Sequence, residues 1–114
     1  MKILQVGRVD LSVFVLLSLL GACAPGYLPP PVSPQLVKLS NEPTNELQRG
    51  HLIHQAKCAK CHAFENPADY DADEWADEIM PKMAKKSKLS FADESAVLAY
   101  LLAARQMPPP ADPN

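Results

Sequence analysis

The sequence predicts a small all-α domain of about three helices between residues 44 and 106. Three stretches there repeat apolar residues at helical spacing, and no stretch alternates apolar and polar residues as a half-buried strand does. Proline-rich segments bracket the region, with six prolines in residues 24–43 and the tail 107–114 ending in PPPADPN. A core of only about 60 residues usually requires a disulfide, a metal or a cofactor to be stable, so we expect one of these.

The first helix is predicted over residues 45–57 and the third over residues 91–105. One stripe of the first helix consists of Leu47, Gly50 or His51, and His54. In the third helix, Ser90 is placed as the N-cap and Asp93 follows three residues later. The expected buried face of this helix consists of Val97, Leu98, Leu101 and Leu102.

The second helix has the clearest start. Asp71 forms a capping-box pattern with Glu74, and Tyr70 before the cap is placed to pack on Trp75. The apolar stripe of this helix consists of Trp75, Ile79, Met83 and the neighbouring Met80. Pro81 has no N–H and leaves one helical carbonyl without its partner, so we expect a kink or a restart there.

Residues 1–22 have the layout of a secretory signal. Lys2 and Arg8 precede an apolar run over residues 11–20, and small residues follow. The apolar run is too short to span a bilayer. The signal therefore predicts export of the protein, with a plain cleaved signal and an uncleaved anchor as alternatives to the more specific reading below.

The sequence LGAC at residues 20–23 resembles the lipobox of bacterial lipoproteins. The resemblance implies cleavage before Cys23, acylation of its thiol and attachment to a membrane through lipid. Ala24 implies, by the sorting rule of these lipoproteins, the periplasmic side of the outer membrane rather than the inner membrane. Residues 23–43 are then expected to be a stiff, extended tether that could lift the domain up to about 60 Å from its lipid.

The charge balance argues against nucleic acid as a partner. Thirteen acidic and eleven basic residues give a net charge of −2, which is not the footprint of a nucleic-acid-binding protein. Six lysines lie close to CAKCH or after MPKM: Lys57, Lys60, Lys82, Lys85, Lys86 and Lys88. A solvated surface and a docking rim for an acidic partner protein are both compatible with this pattern.

The sequence CAKCH at residues 58–62 is compatible with a redox-active dithiol, a metal clip or a cofactor tether. A thioredoxin-like dithiol is disfavoured because the protein is predicted to be exported and no strand and helix alternation surrounds the motif. A zinc site is disfavoured because no second pair of Cys or His residues follows. Covalent haem attachment remains, with thioethers from Cys58 and Cys61 and with His62 as the proximal iron ligand.

With these residues the chain resembles the class I c-type cytochromes over about residues 46–104. Gly50, eight residues before Cys58, matches the small residue at which the first helix of that family crosses the last. Tyr100 with Leu101 matches its partner in the last helix. The resemblance implies a compact cytochrome c-like fold around one covalently bound haem c.

The same resemblance implies the surroundings of the iron. Pro67 matches the proline whose carbonyl accepts a hydrogen bond from the far nitrogen of the ligating His62. MPKM matches the segment with the distal ligand, for which Met83 is expected, Met80 is the alternative and no methionine ligand is the remaining possibility. Trp75 is expected to form a wall of the haem pocket. His51 and His54 lie too close in sequence to the attachment motif to reach the distal face.

Two departures from the family stand out. Ile53 and His54 occupy positions near which the family commonly has an aromatic residue, and the gap from His62 to the methionines is short. The resemblance implies a one-electron carrier rather than an enzyme, without a small-molecule substrate, acting alone or as a subunit of an oxidoreductase complex. A haem sensor with an open sixth position and a haem-free thiol oxidoreductase are the alternatives.

Overall fold

The computed structural model describes residues 26–109, and within this range it contains helices and no strand. The helices are α1 (Pro34–Lys38), α2 (Thr44–Lys57), α3 (the continuous segments Ala72–Glu74, Trp75–Ile79 and Met80–Ser87) and α4 (Phe91–Ala104). Two short 3₁₀ turns, Cys58–Lys60 and Pro67–Asp69, lie in the loop between α2 and α3. The prediction of an all-α domain is therefore confirmed.

Several predicted features lie outside the described residues, namely the signal over 1–22, the lipobox with Cys23 and the end of the proline-rich tail. Within the described range, no helix combines the length and the apolar character needed to cross a membrane. Met107 packs against the core, so the folded part extends one residue into the predicted tail.

Helices α2 and α4 cross at Gly50, where the sequence places the crossing. A Cβ atom built on Gly50 would lie 2.0 Å from the backbone oxygen of Ala96 and 2.9 Å from Cβ of Tyr100. Only a residue without a side chain allows this approach of two backbones. The buried face of α2 comprises Leu47, Gly50 and His54, which is the predicted stripe.

The buried face of α4 differs in part from the prediction. Val97 and Leu101 are buried as expected, but Leu98 and Leu102 are only half-buried. The other buried residues of this helix are Ala96, Tyr100, Ala103 and Ala104. Because α2 crosses over Ala96 and Tyr100, the face in contact with the core is rotated relative to the leucine stripe. Ser90 accepts a hydrogen bond from the N–H of Asp93 as predicted.

Helix α3 begins with the predicted cap. The Asp71 N–H donates to Oε2 of Glu74 at 2.8 Å, and both hydrogen bonds of the capping box are present. The Tyr70 and Trp75 rings meet edge to face, with their centroids 5.6 Å apart. The interruption predicted at Pro81 takes the form of a π turn over Trp75–Ile79, after which the helix continues.

The N-terminal segment corrects the prediction of an extended tether over residues 23–43. Residues 34–38 form α1, the side chain of Ser33 caps it, and Leu36 is completely buried in the core. Pro34 is compatible with this helix because its missing N–H and fixed φ suit the first helical turn. We call residues 26–39 the N-terminal strap, since they pack on the domain instead of leading away from it.

Candidate functional site

A cleft lies between the loop that follows α2 and one face of α3, with Leu101 of α4 among its walls. The cleft is open to solvent, and its cavity volume is about 150 Å³, which is smaller than the roughly 300–1,000 Å³ of typical small-molecule sites. Its wall on the loop side comprises His54, Cys58, Cys61, His62, Ala63, Phe64 and Glu65. Its wall on the other side comprises Trp75, Ile79, Met80, Met83, Lys86 and Ser87.

The two cysteines lie at the point where α2 gives way to a 3₁₀ turn, and their thiols are unpaired. Cys58 is half-buried, whereas Cys61 is exposed. Burial raises the pKa of the Cys58 thiol, and the neighbouring Cys61 raises it further. A raised pKa is the opposite of what a thiolate nucleophile requires, so the pair does not have the electrostatics of a thioredoxin-like active site.

His62 lies on the exposed rim of the cleft. Its Nδ1 atom lies 2.7 Å from the backbone oxygen of Ala63. If Nδ1 carries the proton and donates to this carbonyl, the lone pair is left on Nε2, which is then free to bind a metal. The backbone therefore orients the imidazole for a ligand on its other nitrogen.

Pro67 differs from its predicted role. The residue is buried, but its carbonyl accepts a hydrogen bond from the indole N–H of Trp75 at 2.9 Å, and His62 bonds to Ala63 instead. The predicted bond from His62 to Pro67 is thus absent in the structure of residues 26–109. Pro67 fixes the position of Trp75, which in turn lines the cleft.

The two methionines of MPKM both line the cleft, but they differ in burial. Met80 is 2 % exposed and belongs to the hydrophobic core, whereas Met83 is half-buried. A methionine in the core usually serves as packing. Met83 lies on the cleft wall opposite the loop with His62 and is the less confined of the two side chains.

His54 lies on the predicted stripe of α2, and its burial beside the cleft is deeper than its place next to the attachment motif indicates. It is 5 % exposed, and its Nδ1 atom has no hydrogen-bond partner in the described part of the chain. Burial, with a smaller contribution from His51, lowers its pKa to about 4, so the ring is neutral at pH 7. Its position four residues before Cys58, on the buried stripe of α2, was the available signal.

Aromatic rings surround His54. Its ring centroid lies 4.7 Å from that of Phe64 and 5.8 Å from that of Tyr100. Phe64, two residues after His62, was not predicted as part of the site. Positions 53 and 54 hold no Phe, Tyr or Trp, but Phe64 brings an aromatic ring next to His54 from the loop on the other side of the motif.

The described residues contain no group of three or more His, Cys, Asp and Glu side chains arranged to hold a metal ion. A zinc site of the usual composition is thus not formed by this part of the chain. The donors that line the cleft include two thiols, two imidazoles and two thioethers, set among apolar side chains. This donor set fits a haem held by two thioether bonds and two axial ligands.

The chain matches no protein-family model, no curated protein and no solved structure.

Proposed function

We propose that this protein is a one-electron carrier with a cytochrome c-like fold, and that its cleft binds one haem c covalently. The observation that supports this most strongly is that Cys58, Cys61, His62 and Met83 line the same cleft. Their sequence separation alone does not bring MPKM next to CAKCH. The close crossing of α2 and α4 at Gly50 also agrees with the family that the motifs resemble.

Cys58 and Cys61 would hold the macrocycle. Each thiol adds its S–H across one vinyl double bond, so that a carbon–sulfur bond forms and the thiol hydrogen passes to the other vinyl carbon. No oxidant or reductant is consumed in this addition. The addition requires two free thiols at the haem site, and Cys58 and Cys61 are both unpaired and line the cleft.

His62 and Met83 would be the axial ligands, with Met80 as the alternative to Met83. A haem bound in this way supplies an Fe(III)/Fe(II) couple, and a thioether ligand raises its potential relative to a second imidazole. The contact of Nδ1 with Ala63 orients the His62 ring. Trp75, Ile79 and Leu101 would form apolar walls beside the bound haem.

Electron exchange is proposed at the edge of the cleft that carries the cysteines. Lys57 and Lys60 lie next to the cysteines in sequence, and both are exposed, as is Lys82 on α3. These lysines would favour brief, salt-sensitive contacts with acidic redox proteins. The signal and the lipobox support a position on the periplasmic side of the outer membrane, anchored through lipid on Cys23. The carrier would act alone if its contacts with the redox partner are brief, and as a subunit of an oxidoreductase complex if the partner holds it permanently.

The test is a pyridine haemochrome assay and a reduced-minus-oxidised spectrum of the full chain, produced in a host that attaches haem c. We expect one covalent haem per chain, and none in a variant with Cys58→Ala and Cys61→Ala. A colourless wild-type protein with free thiols would refute the proposal and favour a thiol oxidoreductase.

Met83→Ala tests the distal ligand. Removal of the thioether should abolish the absorption band of sulfur-to-iron coordination and lower the reduction potential. Met80→Ala is the matched control and should keep both, although it loses core packing. Retention of the band in Met83→Ala would show that Met83 is not the ligand. Carbon monoxide binding to the reduced wild type, without displacement of a methionine, would favour a sensor.

A further inference from the structure

The N-terminal strap is fastened to the domain close to its own beginning. The hydroxyl of Tyr100 donates a hydrogen bond to the backbone oxygen of Pro30 at 2.6 Å. Further along, Nε2 of Gln106 donates to the backbone oxygen of Leu39 at 3.0 Å, and Leu36 is completely buried. The chain between these points cannot lengthen without breaking a contact with α4 or the turn that follows it.

The fastening limits the distance between the domain and anything bound to Cys23. Pro30 lies seven positions after Cys23, which corresponds to at most about 22 Å in polyproline geometry. A tether that was free as far as Thr44 would reach about 65 Å on the same geometry. The strap therefore removes about two thirds of the reach that the sequence predicts.

We propose that the strap holds the domain close to the surface of the membrane that carries its lipid. This inference rests on the lipid anchor of the proposed function. Leu28, which is 78 % exposed and lies between the anchor and Pro30, presents an apolar side chain on this short connection. An apolar residue there is compatible with contact with the headgroup region.

Two insertions of the same twelve-residue Gly/Ser segment distinguish a docked strap from a free tether. The first lies between Pro25 and Gly26, before the strap, and the second lies between Glu42 and Pro43, after it. The second site is in an exposed loop, and a longer loop weakens closure only slightly. Neither insertion changes a residue of the core or of the cleft.

The measurement is neutron reflectometry of the acylated full chain on a supported phospholipid bilayer. We expect the insertion before the strap to move the protein layer away from the headgroups by up to about 20 Å. The insertion after the strap should leave the layer within a few Å of its wild-type position. Equal movement in the two variants would overturn the inference, because it would mean that the strap is not bound to the domain and that the free tether extends as far as Thr44.

Two controls separate this inference from the proposed function. Cys23→Ala should abolish retention on the bilayer, and a wild type that is not retained would refute both the lipid anchor and the inference. The haemochrome assay on the same preparations reports the haem independently. A red protein with equal displacement by both insertions would refute the position of the domain alone.

Discussion

Gly50→Ala should be among the most damaging single methyl additions to this protein. The added Cβ would lie 2.0 Å from the carbonyl oxygen and 2.6 Å from the carbonyl carbon of Ala96. Both atoms belong to the backbone of α4 and cannot swing aside as the end of a side chain can. The two helices must therefore separate, and the packing around Leu47 and Tyr100 opens with them.

The magnitude follows from two opposing effects. An ordinary contact of a Cβ atom begins at 3.4 Å, so the shortfall at Ala96 is 3.4 − 2.0 = 1.4 Å. Overpacking of a core costs about 1–3 kcal/mol and occasionally more, and a backbone clash belongs at the upper end. Alanine regains about 1 kcal/mol of helix propensity over glycine. We expect a net loss of about 2–3 kcal/mol in the free energy of unfolding.

Urea unfolding of the full chain, followed by far-UV circular dichroism, measures this loss. With an m-value of about 1.5 kcal/mol/M, the midpoint should fall by about 1.5–2 M. Gly26→Ala is the matched control because no atom lies within 4 Å of the Cβ position there. If the midpoints of the two variants agree within about 0.3 M, the reasoning about the helix crossing is wrong.

Three further predictions concern buried contacts. The pKa of His54 is about 4 in the folded protein and 6.5 in the unfolded chain. The folded state is therefore fully stabilised above pH 6.5, where the imidazole is neutral in both states. Acidification to pH 4.5 should lower the free energy of unfolding by about 2 kcal/mol. In His54→Phe, the fall in the free energy of unfolding between pH 7 and 4.5, measured in urea, should be smaller by about 2 kcal/mol. An unchanged fall would contradict the lowered pKa of His54. Leu36→Ala should cost about 3 kcal/mol in urea unfolding, whereas Leu28→Ala at an exposed position should be neutral; equal effects would mean that the strap is not part of the core. Trp75→Phe leaves the buried carbonyl of Pro67 without its donor and should lower thermal stability by about 1–3 kcal/mol, and no change in melting temperature would argue against that bond.

The elements predicted correctly from the sequence are those whose signals are local. The capping box at Asp71, the N-cap at Ser90 and the stripe from Leu47 to His54 each depend on residues three or four positions apart. Such spacing determines helix ends and helix faces before any tertiary contact forms. The crossing at Gly50 was implied by the resemblance to class I c-type cytochromes, and the close approach of the two backbones there agrees with it.

Helix α1 escaped prediction because its signal is not local. Five residues that include one proline and one buried leucine give no periodic pattern. Leu36 is buried through contacts of the strap with α4, which a sequence does not reveal. High proline content favours extended chains in general, but Pro34 lies in the first turn of a helix, where proline is well tolerated.

In the candidate site, too, contacts between residues far apart in the sequence were the ones that were not predicted. The resemblance to class I c-type cytochromes implied that CAKCH, Trp75 and MPKM share one pocket. Cys58, Cys61, His62, Trp75 and Met83 all line the cleft. The hydrogen bond of the Pro67 carbonyl to Trp75 and the ring contact of His54 with Phe64 depend on how the loop returns to the helices. Such contacts leave no pattern at short sequence separation.

The π turn before Pro81 explains why two methionines lie at one cleft. In a regular α-helix, Met80 would point about 140° away from Trp75, since each residue turns the helix by about 100°. The N–H of Met80 instead bonds to the carbonyl of Trp75, five residues back, which adds a residue to the turn and brings Met80 closer to the face of Trp75. Met83 follows three residues later in α-helical geometry and lies near the same face. The turn thus allows Met80 to fill the core while the less buried Met83 lines the cleft beside it. Because Met83 is not needed for core packing, it is the better candidate for the proposed distal ligand.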